Sequence, residues 1–78
     1  MSLKITWDPA ALHVFYDLPM HSATLVDRAV IRFAGTGEGQ IEADPPYHRL
    51  RAGLHDAILR IDRRTRTLTV LRIHHARR

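Results

Sequence analysis

The sequence holds 78 residues, 45% of them apolar and 26% charged, with a net charge of +4 and no cysteine. That length supports one hydrophobic core, and the mixture of apolar and charged side chains excludes a disordered tail. Absent thiols exclude disulfides and thiolate metal sites, and no apolar run approaches the roughly 20 residues of a spanning helix.

Leu3 to Trp7 alternates apolar and polar residues, which predicts a first strand with Leu3, Ile5 and Trp7 on one face. Asp8-Pro9 then reads as a helix start: the carboxylate caps free amides, and proline's fixed φ suits the first helical position. This first helix is expected to reach about Leu18, where Pro19 ends it. Its apolar positions Ala11, Leu12, Val14, Phe15 and Leu18 cover more than a narrow stripe, as for a helix touching a sheet and a second helix.

A second helix is expected from Ser22 to Ala34, stopped by Gly35. Leu25, Val26, Ala29, Val30 and Phe33 share its apolar side, and the like charges Arg28 and Arg32 find no opposite partner at that spacing. Thr36 to Pro46 contains two glycines, two prolines and three acids and reads as an exposed loop. Beyond it Tyr47–Ala52, Leu54–Asp62 and Thr67–Ile73 are strand candidates with connections short enough for an antiparallel meander. The expected fold is α+β: a single domain over residues 1–78, ordered β-α-α-β-β-β, with a helical hairpin packed on a twisted antiparallel four-stranded sheet.

The modest net charge hides a strong asymmetry. Residues 1–46 carry three basic and six acidic side chains, a balance of −3, while residues 47–78 carry nine arginines against Asp56 and Asp62, a balance of +7. Guanidinium groups clustered on a sheet attract phosphate, so the first partner class is RNA, DNA or an acidic protein. Period-two alternation puts Tyr47, Arg49 and Arg51 on one face of their strand, and Leu54, Asp56, Ile58 and Arg60 on one face of the next. In the last strand it groups Leu68, Val70, Arg72 and His74 against Thr67, Thr69, Leu71, Ile73 and His75. One face packs on the helices, and the other is the candidate binding surface.

The element order and the stretch His48-Arg49-Leu50-Arg51-Ala52-Gly53-Leu54-His55-Asp56-Ala57-Ile58-Leu59-Arg60-Ile61-Asp62 resemble the RelE/ParE superfamily of bacterial toxins, which typically reads Tyr-Arg-Leu-Arg-Val-Gly-Asp-Tyr-Arg before an apolar strand. Val70-Leu71-Arg72-Ile73-His74-His75 is similar to that family's last strand, and Trp7-Asp8-Pro9-Ala10-Ala11 to its strand-to-helix junction. The resemblance implies the toxin of a type II toxin-antitoxin pair in the cytoplasm. Its partners would be a cognate antitoxin and either ribosome-bound mRNA, cut in RelE fashion, or DNA gyrase, inhibited in ParE fashion. A degenerate relative that only binds nucleic acid or antitoxin is a third alternative. Where many nuclease members have an arginine after the glycine turn this sequence has Asp56, and where they end in His-Arg it has Ala76 followed by Arg77. Their C-terminal tyrosine has no counterpart before Arg78.

Metal-free RNA cleavage needs a deprotonated 2′-hydroxyl, a protonated leaving oxygen and stabilised charge on phosphorus. The acid/base candidates are His55, His74 and His75, with Arg77 as a charge stabiliser. Arg49, Arg51, Arg60 and Arg72 are the expected RNA contacts, with Tyr47 a stacking partner for a base. His74 and His75 would face opposite ways along a strand, so only one can serve a given site. No cofactor or metal is implied.

Overall fold

A computed structural model describes residues 2–76 of the chain. Strand β1, Lys4–Trp7, enters from Leu3, whose amide donates to the Ala34 carbonyl at 2.7 Å. The Asp8 carboxylate accepts from the Ala10 amide at 2.9 Å, so helix α1, Pro9–Asp17, begins where the Asp-Pro pair requires. Helix α2, Met20–Thr36, starts two residues before the expected Ser22, directly after Pro19. It also runs past Gly35 and closes at Gly37, whose φ of 77° lets its amide reach the Phe33 carbonyl at 2.8 Å. Arg32 gains a partner that helical spacing could not reveal, Glu38 beyond the helix end, at 3.0 Å.

The expected loop over residues 36–46 contains a strand. β2, Gln40–Asp44, pairs antiparallel with β3, Tyr47–Ala52, through a two-residue turn at the cis-linked Pro45-Pro46. Its residues are exposed apart from half-buried Ile41, because β2 is a sheet edge where acids and flanking prolines are tolerated. β4, His55–Asp62, and β5, Thr67–His75, complete the sheet, so β5 extends beyond the expected Ile73. The order is β1-β5-β4-β3-β2, with β1 parallel to β5 and every other pair antiparallel. The sheet is therefore five-stranded and mixed instead of four-stranded and antiparallel, while the α+β class holds.

Helix α1 lies on β5 and α2 on β3, β1 and β4, so both cover one face. Beneath them Leu50, Leu59, Leu68, Val70, Val26 and Val30 are fully buried. Each such side chain contributes about 1.5–3 kcal/mol relative to exposure, which makes packing the main support of the fold.

A register shift between β4 and β5 decides what the uncovered face carries. Ile58 pairs with Arg72 but Leu59 pairs with Val70, leaving Leu71 as an extra residue on β5. Leu68 and Val70 point to the core before this bulge, and Ile73 does so after it. The strict alternation that grouped Arg72 and His74 with Leu68 and Val70 is thus overturned. Arg72 and His74 emerge on the open face, as cross-strand partners of Ile58 and Asp56.

Candidate nucleic-acid interface

On the open face each strand contributes alternate side chains: Tyr47, Arg49 and Arg51 from β3, Asp56, Ile58 and Arg60 from β4, and Arg72 and His74 from β5. Register lines them into rows. One row runs Glu42, Arg49, Ile58, Arg72, and the next runs Gln40, Arg51, Asp56, His74. Four of the second half's arginines, Arg49, Arg51, Arg60 and Arg72, share this surface, while Arg63, Arg64 and Arg66 lie in the β4–β5 connection, and the four are not equivalent.

Arg49 Nη2 donates to Glu42 Oε1 at 3.0 Å, and Arg51 Nε donates to Asp56 Oδ1 at 3.0 Å. The Asp56 side chain is only 4% exposed, so the position that resembles a catalytic arginine holds a buried carboxylate whose charge Arg51 offsets. Among the described residues, Arg60 and Arg72 have no carboxylate partner. These two are the open-face arginines that no carboxylate engages.

Arg60, Arg72, His74 and Tyr47 line an open cleft of about 550 Å³, together with Ile58 and Leu71 and with Asp8, Ala10 and Asp44 from neighbouring elements. Asp8 and Ala10 are brought there because the Asp8 amide donates to the Val70 carbonyl at 2.9 Å, tying the start of α1 to β5. Arg49 and Arg51 do not line the cleft. Leu71, the bulged residue, and the carboxylates of Asp8 and Asp44 were absent from the sequence-based selection. Only tertiary register could have added them.

His74 is the sheet histidine that reaches the cleft. Its Nδ1 lies 3.3 Å from the His75 carbonyl oxygen, which can only accept, so this contact is a hydrogen bond in the tautomer that carries its proton on Nδ1 and a lone pair on Nε2. His55 and His75 stand on the helix-covered side of the sheet, with ring centroids 5.1 Å apart. Burial, and then the nearby His75, push the His55 pKa down, against an opposing pull from Asp56. Of the four acid/base and charge candidates, then, one lies in the cleft and two lie behind it. Arg77 falls outside the described residues.

The sequence matches no family model and no curated protein. Solved structures do match. A chain of the archaeal RelE-RelB complex from Pyrococcus horikoshii is similar over 96% of both chains, at 10% identity and a TM-score of 0.79. The chain adopts the RelE fold. A chain of the intact Escherichia coli RelBE toxin-antitoxin complex has a TM-score of 0.78 at 12% identity, over 99% of this chain and 100% of that one. The RelBE2 toxin-antitoxin complex of Mycobacterium tuberculosis gives 0.68 at 21% identity, over 97% and 100%. At such identities the RelE fold is what is shared, and the chemistry must be argued from this chain's own side chains.

Proposed function

We propose that this chain is the toxin of a type II toxin-antitoxin pair, bound by a cognate antitoxin in the cytoplasm, and that the cleft on its open sheet face receives single-stranded RNA. The observation that carries this reading is the convergence of Arg60, Arg72, His74 and Tyr47 around one cleft, with neither arginine engaged by a carboxylate. Two free guanidinium forks suit the oxygens of a bridging phosphate, and a half-exposed tyrosine ring offers a stacking surface for a splayed base.

In this reading the cleavage chemistry needs no metal. His74 Nε2 takes the proton of the ribose 2′-hydroxyl, the resulting oxygen attacks phosphorus, and the bond to the 5′-oxygen breaks with a proton supplied by water. The products are a 2′,3′-cyclic phosphate and a 5′-hydroxyl. Arg60 and Arg72 stabilise the charge that accumulates on the phosphoryl oxygens.

One observation favours a second reading, in which the chain inhibits a protein target such as DNA gyrase. Glu42 and Asp56 neutralise half of the open-face arginines, which weakens the surface for RNA while preserving a shaped, mixed-charge face. Induced expression separates the two. Growth arrest with cleaved mRNA supports the nuclease, arrest with DNA damage and intact mRNA supports the inhibitor, and continued growth with retained RNA binding supports a binding-only relative.

A further inference from the structure

His55 and His75 are direct cross-strand partners on the side of the sheet opposite His74. Their rings are 5.1 Å apart between centroids and tilted by 60°. A zinc–imidazole bond of about 2.0–2.1 Å places each ring centre about 3.2 Å from the metal, so two rings at a tetrahedral angle stand about 5.2 Å apart. The observed centroid separation matches that value.

We propose that His55 and His75 form a two-imidazole site for a divalent transition metal of the zinc, nickel and copper class. Imidazole nitrogen suits these ions, whereas magnesium and calcium prefer oxygen. His55 Nδ1 is enclosed without a hydrogen-bond partner, which leaves Nε2 as the ligating atom. The pair sits on a hydrogen-bonded ladder, so little chain entropy is lost when the ion arrives.

Asp56, next to His55 in sequence, is turned to the open face and held by Arg51, so it supplies no ligand. Among the described residues no group of three or more His, Cys, Asp or Glu side chains converges. The ion therefore keeps exchangeable positions for water or for a donor from a bound partner. Because it bridges the end of β5 to the start of β4, metal binding stabilises the C-terminal strand. This site is independent of the RNA reading and uses none of its cleft residues.

The rival chelating pair is His13 and Asp17 on α1, 3.7 Å apart and fully at the surface. The test uses the full chain without an affinity tag, stripped with a chelator and then given zinc chloride or magnesium chloride. Zinc should raise the melting temperature and shift the ring-nitrogen NMR resonances of His55 and His75, while magnesium does neither. His75→Ala, at an exposed position, and His55→Gln should abolish both effects, while His74→Ala and His13→Ala retain them. Ring resonances of His55 and His75 that stay fixed in saturating zinc, or a zinc effect that survives in His75→Ala, would overturn the proposal.

Discussion

Asp56 is the cross-strand partner of His74 on the open face, yet its buried carboxylate turns the other way, to Arg51 Nε at 3.0 Å. One acid thus quenches an arginine that the sequence offers to phosphate. The pair is half dry, with the Asp56 side chain 4% and the Arg51 side chain 43% exposed.

Asp56→Asn should therefore act in two directions at once. Losing the charge-assisted bond should cost about 1–2 kcal/mol in urea unfolding, below the 3–5 kcal/mol of a fully buried pair because Arg51 can still be solvated. Released Arg51 should bind RNA more tightly and steepen the salt dependence by about 0.7 in log–log slope, the value for one added contact to a single strand. A binding titration across salt concentrations reads both changes.

Arg60→Ala and Arg72→Ala should each weaken RNA binding and reduce the salt slope by about 0.7. Arg49→Ala and Arg51→Ala should do less, since each guanidinium is already engaged by a carboxylate and lies outside the cleft. Equal losses from all four would mean that the ion pairs open on binding and that the cleft is not the privileged site.

If the cleft cuts RNA, His74→Ala should lower the cleavage rate by about 10²–10⁴-fold, the usual range for a positioned acid/base group. His55→Gln, on the covered side of the sheet, should leave that rate within about twofold of the parent because it touches no cleft residue. Single-turnover cleavage of a defined RNA checks both.

Gly53 has a φ of 63°, and a Cβ built on it would lie 2.7 Å from Leu25 Cδ1. Gly53→Ala should destabilise by about 1–3 kcal/mol, from the left-handed backbone together with overpacking against α2. The shift in urea midpoint measures it, and an unchanged midpoint would show that Leu25 yields freely.

His55 has a folded pKa below its ordinary value of 6.5, so between those two values the unfolded chain binds more protons than the folded one. Stability from this group is complete above 6.5 and declines as pH falls through that window. In chelator-treated protein the unfolding midpoint should fall on acidification, and His55→Gln should flatten the decline. An identical pH profile in the variant would remove His55 as its source.

Several parts of this molecule were legible one residue at a time. Alternation at Leu3, Ile5 and Trp7, the Asp8-Pro9 cap and the apolar side of α2 are local signals that tertiary contacts reinforce. β2 was not legible, because an edge strand of Gln40, Glu42 and Asp44 has a loop's composition and becomes a strand by pairing with β3. The helix ends slipped for a similar reason: Gly35 continues a helix that its packing against the sheet already supports, and Gly37 closes it.

By itself, then, the sequence determined the α+β class, the core faces of the early elements and the gathering of arginine on the C-terminal strands, since these follow from local periodicity and charge. The tertiary structure alone decided which of those arginines are free and which histidine joins them. The extra residue Leu71 reverses the alternation of β5, and Glu42 and Asp56 reach Arg49 and Arg51 only across strands. A one-residue change of register moves every later side chain to the opposite face, and no local pattern records where that change occurs.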